Sequence, residues 1–153
     1  MTTTPISALV FPSEEWARAL NKVLSADPGV QAALAEFGPF TAGAILEKGA
    51  GLKSDFCLFI DAAPGREARL TFCEDEDELD DLRPNYLAVG PHALVRDLLR
   101  KALAGEVPDP LALITSGKAK LKGDLGRIIK VAGRHPRAGL SALRSIPTAT
   151  LAG

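Results

Sequence analysis

A chain of 153 residues, 46% apolar and 24% charged, is long enough to bury a sizeable core within one domain. A net charge of −1 with one Trp and one Tyr offers little on which bases could stack, so no nucleic acid is expected as a partner. No apolar run approaches the roughly 20 residues that span a bilayer, so no transmembrane segment is expected. Two cysteines make no disulfide framework. The first residues, MTTTPIS, carry neither the basic nor the apolar region of a signal peptide. A cytoplasmic protein with free thiols is the expectation.

The near-neutral total conceals an asymmetry. Residues 1–93 carry 7 basic and 15 acidic side chains, and residues 94–153 carry 11 and 4. A basic half can meet phosphate or make transient contact with an anionic membrane surface, or it can be an ordinary solvated face.

In chain order, Ser13 is placed to cap a helix whose Glu14 and Glu15 suit the positive end of its dipole. Trp16, Leu20, Val23 and Leu24 share one stripe of it, with Trp16 as a core anchor. Asp27-Pro28 starts a second helix with Val30, Ala33, Leu34 and Phe37 on its apolar side, and Gly38-Pro39 stops it. From Phe40 to Gly49 the period is that of a strand, with Gly43 marking a bulge or a close backbone approach. Phe56–Ile60 and Arg66–Cys73 read as the arms of a hairpin whose inner face holds Phe56, Leu58, Ile60, Ala68, Leu70 and Phe72. Cys57 and Cys73 then share the outer face, with no further ligand to complete a metal site. Glu74–Asp81 lacks the spaced oxygens of a calcium loop and reads as a self-repelling, solvated connection. Tyr86–Val89 is a short strand. The helix from His92 to Ala104 carries Leu94, Val95, Leu98, Leu99 and Leu103 on one stripe.

Three elements fall between Pro108 and Val131. Asp109 and Pro110 start a short helix with Leu111, Leu113 and Ile114. Lys118 to Lys122 alternates as a strand with one wet face. Asp124 caps a helix with Leu125, Ile128, Ile129 and Ala132 at helical spacing. Leu140, Leu143 and Ile146 then make a last apolar turn or two before a loose tail. The sum is an α+β fold: a five-stranded, mostly antiparallel sheet with helices packed over one face.

Catalytic motifs fail in turn. Thr115-Ser-Gly-Lys118 imitates the end of a phosphate loop, but Ala112 stands in place of its opening glycine and a strand follows. His92 and His135 stand alone as surface or capping residues, and no G-x-S-x-G, H-E-x-x-H or C-x-x-C occurs. No enzyme, catalytic residue, metal or cofactor is expected.

Phe11-Pro-Ser-Glu-Glu-Trp16, Asp27-Pro28 and Tyr86-Leu-Ala-Val-Gly90 come in a distinctive order with Gly105-Glu106, Asp109-Pro110, Ser116-Gly-Lys118 and Gly123-Asp124. On these motifs the chain resembles the sterol carrier protein domain family, the non-specific lipid-transfer fold, over Phe11 to Val131. The resemblance implies an apolar tunnel between sheet and helices for sterols, fatty acids, fatty acyl-CoA or isoprenoids, carried but not transformed. Leu98-Leu99 stands where an aromatic is often found, and the C-terminal Leu151-Ala-Gly is not the peroxisomal address. That points to a cytosolic, stand-alone bacterial member: a single domain over 1–153, its core about 11–131, with 133–153 as terminal helix and tail.

On this basis Leu58, Ile60, Leu70, Phe72, Leu99, Leu103, Leu113, Ile114 and Ile128 are expected to line the tunnel. Lys118, Lys120, Lys122 and Arg127 are expected to offer contacts to phosphates or lipid headgroups, and Gly133–Ile146 to act as a gate. The rival expectation is an interaction module, the same domain with a filled core, docking onto a lipid-pathway enzyme.

Overall fold

The computed structural model describes residues 8–107 and 115–151. After a short strand β1 (Leu9–Phe11), α1 (Glu14–Ala26) begins where Ser13 accepts the Trp16 N–H at 3.1 Å. Asp27 repeats the device for α2 (Pro28–Phe37), accepting from Val30 N–H at 3.0 Å with Pro28 at the first helical position. Then come β2 (Phe40–Glu47), β3 (Phe56–Ala62), β4 (Arg69–Cys73), α3 (Glu76–Asp81), β5 (Tyr86–Pro91) and α4 (His92–Leu103). Past residues 108–114 follow β6 (Lys120–Lys122), α5 (Leu125–Arg134), α6 (Leu140–Arg144) and β7 (Thr148–Thr150). Asp124 caps α5 by accepting from Arg127 N–H, as its position before the apolar stripe predicts. The expected helix from Asp109 lies outside the described residues.

Five strands form one sheet in the order β4-β3-β2-β5-β6, antiparallel at every pairing except β2 with β5. The hairpin register pairs Leu58 with Phe72, Ile60 with Leu70 and Cys57 with Cys73. The apolar residues therefore share one face and the two cysteines the other, as the alternation implies. The large helices cover the first face. One end of it is filled by Phe11, Trp16, Ala17, Leu99 and Ile146, joined by Leu46, Leu58, Phe72, Val95 and Leu103.

Three features differ from the sequence expectation. The acidic stretch is not a loose connection: Asp75 accepts from Glu78 N–H and starts α3, whose first turn holds Glu76, Asp77 and Glu78. Carboxylates suit a helix N-terminus, and one leucine suffices to seat the helix. Leu79, 0% exposed, packs with Ile45, Cys57 and Cys73 on the sheet face that the other helices leave open. A Cβ at Gly43 would stand 3.0 Å from Leu87 and 3.1 Å from Leu79, so this glycine marks the close approach. Second, the end of the chain is not a loose tail. Strand β7 pairs in parallel with β1, and Thr148 Oγ1 accepts from Trp16 Nε1 at 3.0 Å. Arg96 Nη1 donates to the Leu151 carbonyl and Arg100 Nε to Thr150 Oγ1. Such a pairing between segments far apart in sequence has no local signal. Third, His92 is neither a surface nor a capping side chain. It is 0% exposed, and its Nδ1 donates to the Gly49 carbonyl at 2.8 Å.

Candidate functional site

The opposite end of the helix-covered face is hollow. A cavity of about 500 Å³ lies between α2, α5 and strands β2, β5 and β6. Its walls are Val30, Leu34 and Phe37 of α2, Ala88 and Leu121 of the sheet, and Ile128, Val131 and Ala132 of α5. A second cavity, about 270 Å³, sits between α1 and the hairpin, bounded by Leu20, Ile60, Ala62 and Leu70, and it reaches the filled end at Trp16, Ala17 and Leu58. A third, about 710 Å³, opens between α5 and α6 against Ile129, Leu140 and Leu143. Val30, Leu34 and Phe40 line both the first and the second. Ala132 and His135 line both the first and the third. The three spaces are therefore neighbours separated by single side chains. Alanines at 33, 42, 62, 88 and 132 contribute one methyl each, which is why facing helices and strands leave room here.

Polar groups at the edges are mostly satisfied within the protein. Asn21 donates to the Ala68 carbonyl at 2.8 Å, and Arg66 pairs with Asp61 at 2.8 Å. Arg127 Nη2 donates to the Phe37 carbonyl, and its guanidinium lies 4.8 Å over the Phe37 ring, fastening α5 to the end of α2. A second fastening joins Glu36 to Arg134 and, at 2.8 Å, to His135 Nε2. Hydrogen bonds from His135 and Arg134 hold the Glu36 carboxyl below the usual carboxylate range. Burial pushes both the Cys57 and the Cys73 thiols up, with further upward pressure from nearby carboxylates, Asp55 at Cys57 and Glu78 at Cys73. Thiols kept protonated are poor nucleophiles. Among the described residues no group of three or more His, Cys, Asp and Glu could hold a metal ion.

Of the residues expected from sequence, Leu58, Ile60 and Leu70 line the second cavity and Ile128 the first. Phe72, Leu99 and Leu103 sit in the filled end beside Trp16. Leu113 and Ile114 lie outside the described residues. In the β5–β6 register Lys120 pairs with Val89 and Lys122 with Leu87. The side chains of both lysines therefore leave the sheet on the α3 side, away from Leu121. Lys122 nevertheless borders the first cavity, at the sheet edge. Lys118 is exposed just before the strand. The expected gate contains Ile146, 7% exposed in the filled end, so removing residues 134–153 would strip core as well as cover. Sequence reasoning missed the part played by α2. The signal was the stripe of Val30, Ala33, Leu34 and Phe37, which reads equally as core.

This arrangement defines a class: the chain has the sterol carrier protein fold. It superposes on a conserved hypothetical protein of Thermus thermophilus, described as a candidate sterol carrier, with TM-score 0.64, 14% identity and 97% of each chain covered. Against a crystal structure of sterol carrier protein 2 the TM-score is 0.59 at 17% identity, covering 88% of this chain and 97% of that one. The sterol carrier protein domain 2 of Helicoverpa armigera gives 0.54 at 16%, covering 82% and 86%. No family model matches the sequence, and no curated protein matches it. Among the described residues no helix is long and apolar enough to cross a membrane.

Proposed function

We propose that this protein binds apolar lipids of the sterol, fatty acid, fatty acyl-CoA or isoprenoid class and transfers them within the cytoplasm, as a single domain over residues 1–153. The observation that carries this reading is the set of adjoining apolar cavities, two between the helices and the sheet and a third among the helices. Burying a methylene stabilises a complex by about 0.8 kcal/mol, so a chain of a dozen carbons needs few polar contacts. Walls so poor in free donors and acceptors select a class of ligand, not one molecule. The names of the superposed structures support the same reading. A docking module with a filled core has no need of such space, and no reaction is proposed.

Native mass spectrometry of protein purified from its own host should show a co-purifying lipid mass. A fluorescent fatty acid should bind, and Ile128→Trp, which fills the first cavity, should abolish uptake in a folded protein. Undiminished uptake by that variant would move the site elsewhere. For an acyl-CoA, the phosphates would meet the sheet edge where Lys122 borders the cavity, with Lys118 and Lys120 close by in sequence. Arg127 is already engaged with Phe37 and would contribute through its residual field. The same cations, with Lys130, Arg134 and Arg137, would favour passing contact with an anionic membrane. Changing Lys118, Lys120 and Lys122 to Gln should then weaken palmitoyl-CoA far more than palmitate, and added salt should do the same. Equal effects on both ligands would return the lysines to a solvated face.

A further inference from the structure

Among the described residues, Leu24 alone lines all three cavities. It stands near the C-terminal end of α1, where its carbonyl accepts the Asp27 N–H that closes the helix at 3.1 Å, so its backbone is held. From the far side the chain between α5 and α6 presses on it. A Cβ at Gly139, whose φ is +81°, would lie 2.8 Å from Leu24 Cδ2 and 3.3 Å from Val30 Cγ2. Only a residue without a side chain, in a conformation glycine adopts freely, lets that loop come so near. Leu24 is thus fixed at its backbone and closely backed at its tip. Its isobutyl group is the wall that the three spaces have in common.

We infer that Leu24 is the specificity-determining residue of the site: a partition that sets how long an apolar chain can run before it must stop. The inference rests on the lipid-binding reading above and adds which residue reads chain length. An unbranched alkyl chain entering the first cavity gains from each methylene until its end meets Leu24. Further carbons then remain in water or fold back. Removing the isobutyl group joins the first cavity to the second and third, and enlarging it shortens the first. Val30, Leu34 and Phe40 separate only the first two spaces, so they control less of the path.

The test is a series of straight-chain fatty acids from eight to twenty carbons, measured by displacement of a fluorescent apolar probe, on the wild type, Leu24→Ala and Leu24→Phe. The wild type should gain roughly fourfold in affinity per added carbon up to a break, then little. Leu24→Ala should move the break to longer chains and favour the longest acids by about tenfold or more over wild type, with acids below the break unchanged within about twofold. Leu24→Phe should move the break to shorter chains, and it keeps the test decisive if the smaller side chain loosens α1. A break at the same length in wild type and folded variants overturns the role of Leu24 while leaving lipid binding intact. A wild type that binds the apolar probe but releases it to no acid in the series overturns the role of Leu24 alone, and one that binds neither probe nor acid overturns the underlying reading with it.

Discussion

The two ends of the helix-covered sheet face are built from the same kinds of residue and behave oppositely. At one end Phe11, Trp16, Leu99 and Ile146 are each at most 9% exposed and interlock with Leu46, Leu58 and Phe72. At the other, apolar side chains of α2 and α5 face the sheet across about 500 Å³ of space. The difference lies in connection, since both ends carry aromatic rings. The filled end sets Phe11 against Trp16, rings 4.7 Å apart and edge to face, beneath a closing strand pair, β1 with β7. The hollow end has Phe37, Phe40 and Tyr86 ring to ring at 5.0 to 6.0 Å along one wall and alanines along others, and is held at its margin by Arg127 with Phe37 and by Glu36 with Arg134 and His135. Rigid packing at one end lets the other stay open without collapse of the fold.

Truncation should separate the ends most. Leu99→Ala should cost about 2–5 kcal/mol, as a buried leucine in a filled core does. Leu34→Ala should cost less than half as much, since its side chain already borders empty space on two sides. Urea unfolding of both variants decides this, and equal losses would erase the distinction. Enlargement should work the other way. Ala142→Leu, at a position 9% exposed, should lose about 1–3 kcal/mol from overpacking. Ala88→Leu should leave the midpoint of unfolding unchanged or higher while reducing uptake of an apolar probe at least tenfold.

A finer comparison sets the two closures against each other. Thr148→Val leaves the Trp16 N–H without its acceptor and should cost about 1–3 kcal/mol, with changed tryptophan fluorescence. Glu36→Gln weakens a more exposed closure and should scarcely move the midpoint at neutral pH. Its effect should lie in the acid dependence. The native Glu36 carboxyl titrates below its ordinary range because His135 and Arg134 hold it ionised. A depressed native pKa means that its contribution is complete above the ordinary carboxylate range and is lost as pH falls through the native value. Wild type should therefore lose slightly more stability than Glu36→Gln between neutral and acidic pH. Parallel acid profiles would remove Glu36 from the closure.

Much was decided by short stretches of sequence. Ser13, Asp27 and Asp124 each cap the helix that follows, and the alternation of Leu58, Ile60, Leu70 and Phe72 sets the face of the hairpin. Capping and alternation are local: a cap spans four residues, as from Ser13 to Trp16, and a strand's alternation scarcely more, so both are legible without a partner in view. The resemblance to sterol carriers was likewise readable from Pro and Gly punctuation around those elements. What tertiary structure alone decided depends on groups far apart in the chain. Leu79 made a helix of an acidic run because a sheet face needed covering, and β7 found β1 across the whole protein. An apolar stripe states that a side chain leaves water, but not whether it meets another side chain or an empty space. Leu99 and Leu34 look alike in sequence; the facing residues make one core and the other cavity wall.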